Sequence, residues 1–406
     1  MRQSLPLEGI KVIELATVVA APAASRLLSD FGAEVIKIEP TENGDSLRVI
    51  GDMHQLPTDA DNNPMFDLFN TGKKLVSINL KSEEGKQLLF RLLSDADVFL
   101  TNTRMRSLQK MGLGYDELKY RFPGLIYAHF SGFGLDGPDR DRAGFDSSAF
   151  WLRPGICIDM VRPGDFPARP PYAFGDIASA SYFLNGILMA IIAREKTEHG
   201  TLISTSLFGS GIWMSAPYVV NTQEKYGKQL PAERDDPWSP FSDIYECSDG
   251  IYIAPISKRY PSDRPMLAKV FGMPELVEDP DLESVGAMRR AGKLAGITDK
   301  LAAVMLTKTS AQWAAVFAEN DIPYEVTHHI KDIPNDRQAI ENGYIESIEY
   351  PDGSTVVPVP PIKYSDYDRR KFTKQRFIGA DTDDILLSLG YAETEIAALR
   401  RGKIIR

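Results

Sequence analysis

The residue with the clearest chemical potential is Asp176, which follows Gly175 at the start of an apolar pattern with helical spacing. One interpretation is structural, because aspartate is a favoured N-cap worth about 1 kcal/mol to a helix. The other is chemical. Backbone N–H groups and the helix dipole would keep the carboxylate ionised, an ionised carboxylate can attack an acyl carbon, and Gly175 would let a substrate approach closely. The spacing alone does not separate the two.

Basic residues are concentrated between positions 73 and 121. This stretch has ten lysines and arginines against six acidic residues, in a chain whose net charge is −10. Solvated helix faces account for Lys86, Arg91 and Lys119, whereas the others lie near predicted strand ends, where a doubly wound sheet holds its ligand. A polyphosphate ligand suits such a cluster.

Familiar catalytic and nucleotide-binding motifs are absent or out of context. The segment 132–137, GFGLDG, matches the dinucleotide fingerprint, but Pro138 and a charged run follow it, so the pattern predicts a turn. Neither a phosphate loop nor a G-x-S-x-G nucleophile elbow occurs in the sequence. The five histidines do not assemble a ligand set, so we expect no metal.

Length and composition exclude several classes of protein. The chain has 406 residues and a net charge of −10, which argues against nucleic acid or an anionic membrane surface as the main partner. The longest apolar stretch, 187–193, is far below the roughly 18 residues of a membrane span. Cys157 and Cys247 are too isolated for a disulfide framework or a metal pair. With no apolar leader in view, we expect a cytoplasmic enzyme.

The elements that would position these residues indicate an α/β fold. Short apolar runs alternate with amphipathic stretches up to about position 200, which is typical of βαβ units around a doubly wound parallel sheet. The predicted strands are 12–15, 35–38, 75–80, 98–101 and 125–130, and the predicted helices are 23–30 and 83–94. Residues 222–239 resemble a linker, followed by a strand pair at 244–246 and 251–254 and helices at 289–305, 311–319 and 382–389.

Taken together, several segments resemble the family III CoA-transferases along essentially the whole chain. They are LEGIKVIEL (7–15), AP (21–22), FGAEVIKIEP (31–40), Lys74, NLK (79–81), EG (84–85), MGLGY (111–115), SGFG (131–134), GP (137–138), GFD (144–146), GD (175–176) and REKT (194–197). The resemblance implies a Rossmann-like large domain interrupted by a small inserted α/β domain, in an interlocked homodimer. We expect the large domain to comprise 1–221 and 332–406, with the linker and small domain at 222–331.

The resemblance also implies site residues. Asp176 would be the nucleophile that forms an aspartyl mixed anhydride, and no metal or tightly bound cofactor would be needed, because the CoA thioester is itself a substrate. The residues that would contact CoA are Val19, Ala20, Ile78, Asn79, Leu80, Lys81, Asn102, Thr103, Arg104, Lys110, Met111, Ala143 and Asp146. This set overlaps the basic stretch, and the GFGLDG segment becomes a loop beside the CoA site.

Within the family, the sequence is closer to the 2-hydroxyacid branch, which serves amino-acid fermentation. The supporting residues are Thr101, Asn102, Arg104 and the segment 144–155, whereas the glycine run of oxalate-type enzymes is missing and PWSPF (237–241) stands near its expected place. The acceptor would be an acid such as phenyllactate or 2-hydroxyisocaproate. Phe150, Trp151 and Trp238 are candidates for the acyl pocket, and we expect Arg153 to form a structural salt bridge.

Two alternatives stay open. One is a 2-methylacyl-CoA racemase of the same fold, although such enzymes show Gly-His-Asp where this chain has Phe145, which cannot move a proton. The other is a CoA-binding protein without catalytic activity.

Overall fold

The computed structural model describes residues 5–227, 230, 237–257 and 259–406, and the chain forms two compact units. The larger unit contains residues up to 157 together with 169–223 and 336–406, and the smaller contains 158–168 and 224–335. The sequence did not single out 158–168 as a part of the smaller unit. Of the predicted linker 222–239, residues 228–229 and 231–236 lie outside the described residues.

The larger unit is built on a six-stranded parallel sheet with the order β3-β2-β1-β4-β5-β6, which confirms the predicted doubly wound α/β fold. Its strands are β1 (Lys11–Leu15), β2 (Glu34–Glu39), β3 (Lys74–Ser77), β4 (Val98–Thr101), β5 (Ile126–Ser131) and β6 (Leu202–Ser206). The order reverses between β1 and β4, so the crevice beyond the carboxyl ends of these two strands is the expected ligand site.

Helices cover both faces of this sheet. Those before residue 224 are α1 (Ala20–Asp30), α2 (Leu47–Ile50), α3 (Pro64–Asn70), α4 (Glu83–Leu93), α5 (Met105–Lys110), α6 (Tyr115–Arg121), α7 (Ile156–Asp159), α8 (Phe174–Thr197), α9 (Leu207–Met214) and α10 (Ala216–Asn221), with a π-helical turn at Asp146–Leu152. Two apolar clusters form, one under α1 and α8 and the other under α4. Continuous apolar strands are buried on both faces, which is why the sequence predicted them well.

By length and composition, helix α8 is long and apolar enough to cross a membrane. Only 33% of its most apolar stretch of 18 residues is buried inside the protein. One such helix is weak evidence, because core helices pass the same test. Its buried side packs on α1, β5 and β6, and its other side leaves large apolar residues exposed, namely Phe174, Ile177, Met189 and Ile192.

The smaller unit has its own apolar core and a three-stranded antiparallel sheet, β7 (Tyr245–Glu246), β8 (Tyr252–Pro255) and β9 (Tyr324–Val326). Its helices are α11 (Tyr260–Phe271), α12 (Glu275–Glu278), α13 (Val285–Arg290), α14 (Leu294–Met305) and α15 (Ser310–Glu319). The strand pair is confirmed. The single helix predicted at 289–305 is wrong: the chain turns at Gly292, whose φ of +68° is left-handed.

The last segment returns to the larger unit with α16 (Arg337–Glu341), the hairpin β10 (Ile345–Tyr350) and β11 (Gly353–Pro358), α17 (Thr382–Ser388) and α18 (Glu393–Arg401). It also completes the edge of the parallel sheet. Strand β3 ends at Ser77, before the predicted Leu80, because Ile78 forms a bridge with Ile405 and the Asn79 N–H donates to the Ile404 carbonyl at 2.8 Å.

Candidate active site

A cavity of about 780 Å³ lies beyond the carboxyl ends of β1, β4 and β5 in the larger unit. Its lining includes residues after β1 (Thr17, Val18, Val19, Ala20), after β4 (Asn102, Arg104, Met105, Arg106) and after β5 (Gly132, Leu135, Arg140, Asp141, Arg142, Ala143, Gly144, Phe145, Asp146), together with Asp176. This is the switch point of the sheet, so strand topology and cavity agree on where a ligand binds.

Asp176 lies in the first turn of α8 and lines the cavity. The interpretation that it caps the helix is wrong, because the N-cap is Ala173 and no side chain caps the helix. Ala173 itself has a φ of +59°, which is uncommon for a residue other than glycine. Asp176 is therefore available for a chemical role.

The electrostatic environment of Asp176 differs from the prediction. Burial, and secondly the charge of Asp146, raise the pKa of Asp176 from 3.8 to about 7. The prediction that the helix terminus keeps this carboxylate ionised considered only the local helix. The fold also brings a second carboxyl group nearby and removes water, and these two effects outweigh the helix terminus.

The second carboxyl group, Asp146, begins the π-helical turn and lines the same cavity. Burial raises its pKa to about 6, while the N–H groups of Gly175 and Asp176 and the indole of Trp151 lower it. None of the three reaches hydrogen-bond geometry, and both Asp146 carboxylate oxygens and the Trp151 Nε1 are buried without a partner. The N–H groups at the start of α8 thus lower the pKa of Asp146 and not that of Asp176, and both carboxyl groups line the same cavity.

The resemblance implies that Asp176 is the nucleophile, which must be ionised to attack, so we expect kcat/KM to fall on the acidic side of about pH 7. Asp146→Asn removes a like charge, so this acidic limb should move to lower pH, although it should stay above 3.8, since burial is the larger cause. The measurement is a pH profile of kcat/KM, with the exposed Asp136→Asn as control. An unmoved limb in Asp146→Asn would contradict the assignment.

The sequence suggested that Gly175 gives a substrate access to Asp176. The structure shows instead that Gly175 is needed for packing. A Cβ at this position would lie 2.3 Å from the Asp146 Oδ1 and 2.4 Å from the Phe150 Cγ. The space beside Gly175 is already filled by these two side chains. The glycine lets the π-helical turn approach the start of α8, which is what brings Asp146 and Asp176 into one cavity.

Gly175→Ala should therefore damage the site. The added methyl group must displace Asp146 or Phe150, which we expect to cost about 1–3 kcal/mol of folding free energy and about 100-fold in kcat/KM, since a shift of about 1 Å can have that effect. Gly186→Ala on the same helix is the matched control. Its Cβ would meet only the Ile203 Cδ1 at 3.6 Å, so activity and urea-unfolding midpoint should stay at or above wild type; equal behaviour of the two variants would refute the packing role.

Four arginines line the cavity, and we call them its cationic side; two of them, Arg140 and Arg142, also lie 3.8 Å from the carboxylates of Asp141 and Asp139. Arg104 and Arg106 come from the predicted basic stretch, whereas Arg140 and Arg142 were missed by the site prediction, which treated 139–142 as a charged turn. The signal for them was their place in the loop that follows β5, at the carboxyl edge of the sheet. As predicted, Arg153 forms a salt bridge, 3.1 Å from the Asp139 carboxylate. The arginines can bind phosphate groups.

The structure brings half of the predicted site residues together. Those that line the cavity are Val19, Ala20, Asn102, Arg104, Ala143, Asp146 and Asp176. Those that do not line it are Ile78, Asn79, Leu80 and Lys81, which follow the edge strand β3, Thr103, which lies between two lining residues, and Lys110 and Met111 at the end of α5. His129, isolated in the sequence, also lines the cavity, where its Nε2 bonds the Thr103 carbonyl at 3.0 Å.

None of the three acyl-pocket candidates lines the cavity. Phe150 is 2% exposed and belongs to the core, Trp151 packs against that core, and Trp238 lies in the smaller unit.

The GFGLDG segment forms turns, as predicted: Gly134 and Gly137 have positive φ values, and a Cβ on Gly132 would lie 2.7 Å from the Gly144 Cα. Among the described residues, no group of three or more His, Cys, Asp or Glu could hold a metal ion.

The loop after β1, residues 16–18, has an unusual backbone. Val18 has a φ of +66°, a left-handed conformation that costs a β-branched residue about 1–3 kcal/mol. The Asn102 side chain accepts from the Thr17 N–H at 3.1 Å and donates to the Thr17 carbonyl at 2.8 Å, and the Asp45 Oδ1 accepts from the Val18 N–H at 3.0 Å. Side chains distant in sequence thus hold this loop.

A buried ion cluster, Glu14, Lys37, Asp45 and Lys73, lies behind this loop, and all four side chains are 0% exposed. The Lys37 Nζ contacts the Glu14 Oε1 at 2.7 Å, the Asp45 Oδ2 at 2.8 Å and the Ala16 carbonyl at 2.8 Å, and the Lys73 Nζ lies 2.8 Å from the Glu14 Oε2. The interpretation of Lys73 as part of a ligand-binding basic stretch is therefore wrong, because its ammonium group is buried and paired with Glu14.

Known proteins resemble this chain in sequence and in fold. The family model of CoA-transferase family III matches residues 7–382. The chain is 36% identical to an (R)-2-hydroxy-4-methylpentanoate CoA-transferase from Clostridioides difficile, over 98% of this chain and 99% of that protein. It is 32% identical to a cinnamoyl-CoA:phenyllactate CoA-transferase from Clostridium sporogenes, over 98% and 96%. The structure matches a CAIB/BAIF family protein from Brucella suis with a TM-score of 0.78 and 28% identity, over 95% and 100%.

Proposed function

This chain belongs to CoA-transferase family III, and from that membership we propose that it moves CoA from an acyl- or enoyl-CoA thioester to a free (R)-2-hydroxy acid. The observation that carries the proposal is the position of Asp176, a partly buried carboxyl group in a cavity with four arginines at the switch point of the sheet. Asp176 supplies a nucleophile and the arginines suit a polyphosphate ligand.

The proposed reaction proceeds through mixed anhydrides on Asp176. The ionised carboxylate attacks the thioester carbon, the C–S bond breaks, and CoA leaves as a thiolate that stays bound. The acceptor carboxylate then attacks the Asp176 carbonyl carbon and expels the donor acid. Finally the thiolate attacks the acyl carbon of the acceptor, which releases the new thioester and restores the Asp176 carboxylate. One thioester replaces another, so the exchange needs no metal, ATP or tightly bound cofactor.

We propose that CoA binds with its phosphates toward the cationic side of the cavity. The residues we assign to its contacts are Val19, Ala20, Asn102, Arg104, Ala143 and Asp146, which line the cavity, and Ile78, Asn79, Leu80, Lys81, Thr103, Lys110 and Met111, for which the support is the family pattern alone. The donor and acceptor are soluble, so the reaction needs no membrane, and we expect the enzyme in the cytoplasm.

The support for a 2-hydroxy acid is the similarity to two relatives whose acceptors are of that kind, (R)-2-hydroxy-4-methylpentanoate and phenyllactate. The test is to incubate the enzyme with cinnamoyl-CoA and each acid in turn, following thioester exchange by mass spectrometry, with oxalate as the control acceptor. We expect exchange with a 2-hydroxy acid and little with oxalate. A parallel incubation with a 2-methylacyl-CoA in deuterated water tests the racemase, which would exchange the α-proton without CoA transfer. CoA binding without either reaction would favour a non-catalytic protein.

We also propose that the enzyme is an interlocked homodimer. The support is the apolar surface on α8, α9 and α10, where Ile192, Trp213 and Val220 are each more than half exposed, since a patch of this kind marks an interaction site.

We expect Trp213→Asp to weaken the dimer, because a carboxylate would be buried unpaired in the interface. Light scattering after size exclusion should show a dimer for wild type and a monomer-dimer mixture for the variant. Tyr120→Asp, on a residue that is 93% exposed on α6, is the control and should stay dimeric. A monomeric wild type would refute the proposal.

A further inference from the structure

The loop at residues 16–18 is held against its backbone preference by groups that reach it from three other parts of the chain. Lys37 on β2 donates to the Ala16 carbonyl, Asn102 after β4 bonds both backbone groups of Thr17, and Asp45 after β2 accepts from the Val18 N–H. A strained conformation persists only where its surroundings over-determine it, and such strain concentrates at functional sites.

Asp45 has the central place in this arrangement. Its Oδ1 accepts from the N–H groups of Val18 at 3.0 Å and Leu47 at 2.9 Å, while its Oδ2 lies 2.8 Å from the Lys37 ammonium. A buried ion pair contributes little net stability, because desolvating both charges offsets their attraction. A gain in folding stability therefore does not explain why Asp45 is buried. Its hydrogen bond to the Val18 N–H does.

What Asp45 holds is one side of the catalytic cavity. Thr17, Val18, Val19 and Ala20 all line the cavity that Asp176 lines. The loop, the ion cluster and the nucleophile are thus parts of one site.

We propose that Asp45 is a positioning residue for CoA transfer: it holds the Val18 backbone in the left-handed conformation and thereby shapes the side of the cavity formed by Thr17, Val18, Val19 and Ala20. This inference rests on the proposed function. Asp45 does not touch the reacting atoms, and it acts through the backbone of Val18.

The test replaces Val18 with glycine, which adopts a positive φ without a steric cost and so does not need Asp45 to hold it there. We expect Asp45→Ala to lower kcat/KM by about 10- to 100-fold, the equivalent of the strain it no longer offsets. Adding Val18→Gly should recover most of that loss, because the loop then needs no holding. Asp45→Asn keeps an acceptor for the Val18 N–H and should stay within about 5-fold of wild type.

The matched control is Glu198→Gly, at the C-cap of α8 outside the cavity, where φ is +60°. It also removes the strain of a left-handed residue. It therefore separates the effect of relaxing the loop at residues 16–18 from a general gain in stability. In the Asp45→Ala background it should not restore activity. Equal recovery by both glycine substitutions, or no recovery by Val18→Gly, would overturn the proposal.

Two further measurements keep the outcome clear. If Asp45→Ala does not fold, Asp45→Ser takes its place, because its side chain is one bond shorter and so withdraws the acceptor from the Val18 N–H. Val18→Gly should recover its loss as well; failure there overturns the proposal. Calorimetric titration with free CoA is made on the same variants. If wild type shows no transfer, the proposed function fails, whereas a CoA affinity that falls in Asp45→Ala and recovers with Val18→Gly still supports the positioning role.

Discussion

Asp176→Asn should abolish CoA transfer, with a loss of at least about 10⁴-fold in kcat, because an amide cannot attack the thioester carbon and no other described carboxyl group combines its position in the cavity with its place on α8. Wild type incubated with an acyl-CoA and hydroxylamine should yield a hydroxamate at Asp176, detected by peptide mass spectrometry. The variant should yield none. Substantial transfer by Asp176→Asn would eliminate the anhydride mechanism.

Stability distinguishes catalytic loss from misfolding. Because the pKa of Asp176 is about 7 in the folded protein and 3.8 ordinarily, the folded state retains a proton that the unfolded state releases, so this carboxyl group lowers stability progressively as pH rises from about 4 to 7. Asparagine removes that effect. We expect the Tm of Asp176→Asn to exceed that of wild type by a few degrees at pH 8, at about 2–4 °C per kcal/mol, and to match it near pH 4.

Lys37→Met should have the largest effect on stability, about 3–5 kcal/mol, because it leaves Glu14 and Asp45 buried without a shared cation. Burial alone would raise the pKa of Glu14, but Lys37 and Lys73 outweigh it and lower that pKa to about 2. The contribution of Glu14 in wild type is therefore present above pH 4.5 and is lost as pH falls toward 2. The measurement is the urea-unfolding midpoint.

Lys81→Met is the control for this prediction. The Lys81 ammonium is 3.9 Å from Glu42 and its side chain is 84% exposed, so its loss should change stability by no more than about 0.5 kcal/mol. The deficit of Lys37→Met should shrink between pH 8 and pH 5, because its unpaired carboxyl groups take up protons in the folded state. A deficit equal to that of Lys81→Met would show that the cluster contributes nothing.

The sheet was predictable because its strands are continuous apolar runs of the length that parallel sheets require. The sequence placed β1, β2, β4 and β5 to within a residue at each end. Strand β6 (LISTS) was not predicted, since it is only partly buried and rich in hydroxyl groups. The sequence placed Asp176 at the start of a helix, and the resemblance selected its role as the nucleophile. Its raised pKa was not predicted, because it depends first on burial and then on the charge of Asp146, which is 30 positions earlier in the chain.

The buried ion cluster could not be predicted from the sequence either, because it also depends on residues that are distant in the chain. Lys37 stands in the apolar run EVIKIE, where one lysine looks like a solvated interruption. Its burial follows from the register of β1 and β2, which pairs Glu14 with Lys37. The left-handed Val18 depends in turn on Asp45 and Asn102. Long-range pairings of this kind carry no local periodicity, so no pattern along the chain reports them.

The covering of strand β3 by the C-terminal segment has a consequence for synthesis of the protein on the ribosome. The Leu75 N–H donates to the Asp381 carboxylate and the Ser77 N–H to the Thr382 hydroxyl, and Ile405 belongs to the apolar cluster beneath. Until residues 381–405 have left the exit tunnel, the nascent chain presents an open sheet edge and an uncovered apolar surface, both prone to aggregation. Residues 381–405 thus protect an edge strand and an apolar surface that the preceding part of the chain leaves exposed.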